Sequence, residues 1–226
     1  MIITIDGPAV SGKSSVAKKI AKKLGIYYLY TGLLYRALAF LIMEKYGDLF
    51  FHEFDIKLKK YFNEVSELVA KIRYKYLNGQ SVITFNENNI ILKLFNKKID
   101  HYASCIAENV HVRDILLVLQ RELAKNFDCV VDGRDCGSVV FPHAEHKFFL
   151  TAAVDERAKR LYASKCRNSE KLNLQKIKEN IIERDERDEQ RSVAPLLVPK
   201  GAIVVDNSKM DIDETVNYML RCIKKN

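Results

Sequence analysis

Residues 7 to 14 read Gly7-Pro-Ala-Val-Ser-Gly12-Lys13-Ser14, a G-x-x-x-x-G-K-[ST] pattern, and what flanks it limits how it can fold. Before it, Ile2-Ile3-Thr4-Ile5 is a short β-branched run that Asp6-Gly7-Pro8 breaks, which reads as a buried first strand. After it, Val16, Ala17, Ile20, Ala21 and Leu24 recur at helical spacing with Lys18, Lys19, Lys22 and Lys23 between them, up to Gly25. That is an amphipathic helix, and the four lysines are its solvated face. A strand, a glycine loop and a helix in this order wrap backbone N–H groups around a phosphate chain and aim a helix N-terminus at its charge. The pattern brings Lys13 to the β- and γ-phosphates and the Ser14 hydroxyl to Mg²⁺. A nucleoside triphosphate is the expected ligand, and Gly7, Pro8, Ala9, Val10, Ser11, Gly12, Lys13, Ser14 and Ser15 are its candidate contacts.

The remainder alternates strand and helix. Tyr27–Tyr30, Cys129–Asp132, Lys147–Leu150 and Ala202–Asp206 read as buried strands. Helices are expected over Leu33–Tyr46, weakly over 50–70, over Tyr102–Asn126 as one long element, and over Asp213–Lys224. Between Ile72 and Ile99 the texture becomes β, with Ile72–Tyr76, a hairpin at Asn78-Gly79, then Val82–Phe85 and Ile90–Leu92. The expected fold is α/β: a doubly wound, mostly parallel sheet with helices on both faces, an antiparallel insertion, and an Arg-rich helical segment at 155–191.

Charge and cysteines narrow the classes of function. The 226 residues carry 37 Lys plus Arg against 29 Asp plus Glu, a net +8 that calls for an anionic partner without naming it. Ala37–Met43 is the longest apolar run, far short of the roughly 18–20 residues of a membrane span. The N-terminus lacks the pattern of a secretory signal, so a cytoplasmic protein is expected. Five scattered cysteines without a Cys-x-x-Cys pair argue against a disulfide framework or a zinc site.

Three segments set arginine beside carboxylate: Thr31-Gly-Leu-Leu-Tyr35-Arg36, Asp132-Gly-Arg134-Asp135, and Arg184-Asp-Glu-Arg187-Asp188-Glu-Gln-Arg191. Arginine's planar fork suits phosphate oxygens, and phosphoryl transfer depends on positioning and charge neutralisation. Asp132 ends a buried strand at the carboxyl edge of the sheet, suited to hold a Mg²⁺-bound water beside Ser14. The bland alternative for the third segment is a salt-bridged surface helix.

GPAVSGKSS, TGLLYRA, DGRDCGSVVFP and ERDERDEQRSVAPL, in this order and at these distances, resemble the bacterial cytidylate (CMP) kinases, nucleoside monophosphate kinases of the P-loop class. The resemblance runs nearly end to end. It implies a core domain (1–30, 106–154 and 192–226), a nucleoside monophosphate-binding domain (31–105) carrying the antiparallel insertion, and a lid (155–191). It implies transfer of the γ-phosphoryl of ATP to CMP and dCMP, giving CDP and dCDP in pyrimidine metabolism, with Mg²⁺ as cofactor. By resemblance, Lys13, Arg134, Arg184 and Arg191 are catalytic, the last two coming down with the lid, and Arg157 serves ATP near the lid hinge. Thr31, Arg36 and Arg134 serve the CMP side, the two arginines holding its phosphate; Ser104, Arg113 and Asp135 face cytosine, and Asp188 the ribose.

Three places depart from the family pattern: Tyr30 stands where an Asp is usual, Val10 where a small residue is usual, and 94–100 match poorly. Two rival readings are the same chemistry on another small acceptor such as UMP, and a nucleotide-regulated RNA-binding module. A monomer is expected, with no membrane and no obligate nucleic-acid partner.

Overall fold

The structure is a computed structural model, and it describes residues 1–166 and 173–224. The expected lid range of 155–191 therefore includes six positions, 167–172, that lie outside the described residues. The elements follow in the order β1 (Ile2–Asp6), α1 (Lys13–Leu24), β2 (Tyr27–Tyr30), α2 (Thr31–Tyr46), α3 (Phe54–Lys71), β3 (Ile72–Leu77), β4 (Gln80–Phe85), β5 (Asn88–Asn89), α4 (Lys97–Ile106), α5 (Val110–Ala124), β6 (Cys129–Asp132), β7 (His146–Thr151), α6 (Val154–Cys166), α7 (Leu174–Gln190), β8 (Ile203–Asp206) and α8 (Ile212–Lys224). The chain divides into two compact units, one of residues 1–28 and 127–226, the other of 29–126.

A five-stranded sheet of order β2-β6-β1-β7-β8 organises the first unit. β1 lies between β6 and β7 and is parallel to both, and β8 is parallel to β7. Ile3, Ile5, Val130, Val131, Phe148 and Leu150 are fully buried, as strands covered on both faces require. The crossover at β1 brings the ends of β1, β6 and β7 to one edge, where ligands bind in open parallel sheets. Gly7 opens the loop after β1 with φ 145°, and a Cβ there would stand 2.1 Å from the Leu150 carbonyl oxygen, so no other residue fits. Gly25 caps α1 in the left-handed conformation with its N–H on the Ala21 carbonyl.

Sheet and helices of the second unit depart from the expected boundaries in instructive ways. β3 and β4 pair in antiparallel register around Asn78-Gly79, whose positive φ values of 53° and 74° make the I′ turn that this dipeptide favours. The third strand is Asn88–Asn89, not Ile90–Leu92, which instead opens a 3₁₀ turn over Ile91–Leu94. A second positive-φ pair, Asn86-Glu87, closes that hairpin two residues earlier than the apolar run implies. The helix expected over 102–126 is two helices. Asn109 caps α5 by accepting from the His111 and Val112 N–H groups, which ends α4 before it and turns the chain. Helix α2 starts at Thr31, two residues before Leu33, the start expected from the sequence.

Candidate active site

The phosphate loop in the first unit runs from the end of β1 into the first turn of α1. Lys13 is 5% exposed, and its Nζ donates to the Pro8 carbonyl at 2.5 Å and to Ser11 Oγ at 3.3 Å, curling back over its own loop. Burial, reinforced by the Arg134 charge, pushes the Lys13 ammonium well below its usual pKa. Ser14 Oγ donates to Asp132 Oδ2 at 2.6 Å, and Tyr28 Oη donates to Oδ1 of the same carboxylate at 3.0 Å. Burial raises the Asp132 carboxyl, against the opposing pull of the Ser14 hydroxyl and Lys13.

Arg134 follows β6, and its Nε donates to Asp188 Oδ2 of α7 at 2.7 Å. Arg191, just past the end of α7, places Nη2 3.5 Å from Asp135 Oδ1 and Nη1 3.9 Å from Asp188 Oδ1, while its Nε donates to the Ala194 carbonyl at 2.7 Å. Burial pushes the Asp188 carboxyl up, but Arg134, Arg184 and Arg191 outweigh it and hold the pKa below the ordinary value. Lys13, Asp132, Arg134, Arg184 and Asp188 thus form one electrostatic group within the first unit. The bland reading of 184–191 as a solvated salt-bridged helix fails here, because Asp185 and Asp188 are 7% and 6% exposed.

Three polar side chains that sequence reasoning passed over hold this machinery. Asp6 accepts from the Cys136 and Gly137 N–H groups, each at 2.7 Å, and so fixes the turn that carries Arg134 and Asp135. Gly137 has no room for a Cβ, which would stand 2.7 Å from Thr4 Oγ1 and 3.2 Å from Asp6 Oδ2. Past this point the chain makes a π turn, with the Phe141 N–H on the Cys136 carbonyl at 2.7 Å. Asp185 accepts from the Ala9 N–H at 2.7 Å and pairs with Arg157. Asn207 donates to the Ser11 carbonyl at 3.1 Å and accepts from Arg160 at 3.0 Å. The sequence signals available were slight: an Asp at a strand end, and a buried polar position on a helix whose charges mark two faces.

The other expected residues lie in the second unit. Thr31 is buried at the start of α2, and Arg36, one turn on, donates to the Leu94 carbonyl at 3.1 Å, pairs with Asp100 and lies 5.5 Å from the Phe95 ring centre. Ser104 and Arg113 stand on different helices, α4 and α5, on the two sides of the break. Arg113 is 7% exposed, donates to the Ala107 carbonyl at 3.1 Å and stands over the Tyr35 ring. A cation on a terminal carbonyl of α4 is favourable by charge and direction alike. The Tyr30 ring covers Gly32, where a Cβ would meet it at 2.8 Å, and the Tyr30 N–H donates to Tyr74 Oη at 3.1 Å.

The cytidylate kinase family model matches residues 3–225. The chain belongs to the cytidylate kinase family. It is therefore a nucleoside monophosphate kinase, an ATP-dependent phosphotransferase. Its relatives include the cytidylate kinases of Shouchella clausii, 38% identical over 99% of this chain and 96% of that protein, and of Thermodesulfovibrio yellowstonii, 35% identical over 97% and 96%. A bifunctional pantoate ligase/cytidylate kinase of Prochlorococcus marinus is 37% identical over 97% of this chain, which spans 42% of that longer protein's length. Among solved structures, an uncharacterized protein from Eubacterium ventriosum shares the fold with a TM-score of 0.55 at 15% identity, covering 100% of this chain and 99% of that one.

Kinases that use ATP generally need Mg²⁺. Among the described residues no group of three His, Cys, Asp or Glu side chains could hold a metal on its own. Mg²⁺ takes one or two protein oxygens and completes its shell with phosphates and water. Ser14 and Asp132 offer two hard oxygens 2.6 Å apart beside Lys13. Cys105, Cys129, Cys136 and Cys222 are reduced cysteines, and burial drives Cys129 up to about 12, far from reactivity. Among the described residues no helix is long and apolar enough to cross a membrane.

Proposed function

We propose that this chain transfers the γ-phosphoryl group of ATP to CMP and dCMP, giving ADP with CDP or dCDP. The observation that carries the reading is the cluster in which Ser14 of the phosphate loop donates to Asp132, Arg134 donates to Asp188, and Lys13 lies buried. In it a phosphate loop for the donor stands beside arginines suited to an acceptor phosphate and to a transferring phosphoryl. The loop N–H groups and Lys13 would hold the β- and γ-phosphates, and a bound triphosphate would favour the charge on Lys13 that burial opposes. Ser14 and Asp132 would hold Mg²⁺, which neutralises phosphate charge when bound.

Arg36 and Arg134 are assigned to the CMP phosphate, whose oxygen attacks in line; no side-chain nucleophile is needed. Thr31 is assigned to the acceptor side as well. Arg184 and Arg191 are assigned to the equatorial oxygens of the transferring group, Ser104, Arg113 and Asp135 to the base, and Asp188 to the ribose. The division into a core (1–30, 106–154, 192–226), an acceptor domain (31–105) and a lid (155–191) belongs to the same reading, with the lid excluding water from the phosphoryl. A cytoplasmic monomer without membrane or obligate nucleic-acid partners accords with it.

The test is a panel of ADP-release assays with CMP, dCMP, UMP and a small alcohol acceptor, beside RNA binding measured against salt. CMP and dCMP should be the fast acceptors. A faster reaction with UMP or the alcohol, or salt-resistant RNA binding without turnover, would replace this reading with one of its rivals.

A further inference from the structure

Val10 is the one residue of the phosphate loop that breaks the rule for its type: a β-branched residue at φ 60°, in the left-handed region that such side chains avoid. A conformation of that kind persists only where the surroundings over-determine it. They do so from both sides. The Ala9 peptide before it is gripped at both ends, its N–H by Asp185 Oδ1 at 2.7 Å and its carbonyl by Arg157 Nη1 at 2.9 Å. Arg157 and Asp185 pair with each other, and Arg157 Nε is fixed on the Ala152 carbonyl at 2.9 Å. The Ser11 carbonyl after it is held by Asn207, which Arg160 in turn holds. The Val10 side chain packs against an apolar cluster of Ala158, Ile177 and Ile181 from α6 and α7. Arg157 and Arg160 stand three residues apart on α6, so one face of that helix reaches both flanks of Val10.

We propose that Arg157 and Asp185 are positioning residues for the phosphate loop, coupling helices α6 and α7 to the conformation in which it receives ATP. The ion pair contacts the loop through Ala9 and acts on the nucleotide through the loop backbone. Val10 makes the coupling stiff, because a loop with a small residue there would neither resist relaxation nor fill the cluster. The inference rests on the reading of 7–15 as an ATP site.

Removing one member of the pair would leave the other charge buried and unpaired, so the decisive variant replaces both: Arg157→Met with Asp185→Leu, which keeps the volume apolar and is compatible with an intact fold. Calorimetry with MgATP, thermal unfolding, and KM for ATP and for CMP are measured on the full chain. The double variant should unfold near the parent's temperature, yet bind ATP about tenfold more weakly, with KM for CMP changed by less than about twofold, because a preorganised loop is lost and no acceptor contact is. Asp185→Asn, which keeps an acceptor for the Ala9 N–H, should lose less affinity than the double variant. ATP affinity unchanged in a folded double variant overturns the proposal, as does an equal rise of both KM values. Collapse of the fold in both variants does the same, since the pair would then be structural only. A parent that fails to bind ATP overturns the functional reading itself, a separate result.

Discussion

Asp6 at the end of β1 and Lys13 at the start of α1 are both buried ionisable groups, and opposite jobs follow from their partners. Lys13 sits among carbonyl and hydroxyl oxygens of its own loop and beside Arg134, so its charge is strained until phosphate oxygens arrive. Lys13→Ala should therefore leave a folded protein. It should cost several kcal/mol of transition-state stabilisation, a fall on the order of 10²–10³ in kcat; near-parent kcat in the folded variant would refute its role. Asp6 instead has two backbone donors, yet burial outweighs them and lifts its pKa from 3.8 to about 6. A carboxyl raised on folding contributes stability that is whole below about pH 4 and is lost as pH rises through about 6. Two pKa units correspond to about 3 kcal/mol. Asp6→Asn removes this titration, so its stability curve should converge on or overtake the parent's between pH 4 and 7, by an amount of that order. Denaturant unfolding across this range checks it, and parallel curves would show that Asp6 does not titrate there. Its two acceptor bonds could not have been foreseen, because their donors stand 130 and 131 residues away and nothing local marks them. Still longer separations, 176 and 196 residues, hid the loop contacts of Asp185 and Asn207, whereas the phosphate loop was legible because all its parts are contiguous.

Helices α6 and α7 share only a small apolar cluster. Their shared cluster is Ala158, Ile177 and Ile181, with Val10, Val154 and Leu161 at its rim. Arg157, Arg160, Asp185 and Asp188 add polar contacts to the loops that follow the strands, at Ala9, Asn207 and Arg134. Polar junctions exchange one partner for another at small cost, so the segment should open at a free energy well below that of global unfolding. Amides of 155–166 and 173–191 should exchange faster than those of β6 in the ligand-free protein and slow when ATP and CMP are both added. Exchange as slow as in β6, unaffected by nucleotides, would show that these helices are no lid. Elements were readable wherever punctuation was explicit: Gly25, Gly47 and Asn78-Gly79 each stop or turn the chain as their types dictate. The errors arose where periodicity ran past a weaker signal. Asn109 reads as a helix cap once the side-chain bonds are seen, and Leu92, 90% exposed, shows that the Ile90–Leu92 run was not a core strand.

Across the molecule the residues assigned to the acceptor base come from both compact units, Ser104 and Arg113 from one and Asp135 from the other. Ser104 and Arg113 were visible only through resemblance, since nothing in a polar helix position announces a base reader. Cytosine presents an amino donor and an unprotonated ring nitrogen, so its reader needs one acceptor and one donor. In the proposed reading Asp135, 3.5 Å from Arg191 and 7% exposed, would be the acceptor, and Arg113, held on the Ala107 carbonyl, would be the donor. Uracil would set a carbonyl oxygen against the carboxylate and a ring N–H against the guanidinium. Each mismatch in such a desolvated setting costs roughly 1–3 kcal/mol, so CMP should exceed UMP in kcat/KM by at least about tenfold and up to about a thousandfold. Asp135→Ala should lower kcat/KM for CMP far more than for UMP and narrow the ratio. The Asp135–Arg191 contact supplies the competing outcome. If Asp135 serves chiefly to seat Arg191, both values fall together and the ratio stands, and specificity then rests on Ser104 and Arg113. Arg113→Met separates the two cases, because it removes the donor without touching Arg191: a narrowed ratio there, beside an unchanged one in Asp135→Ala, would assign base reading to the second unit alone.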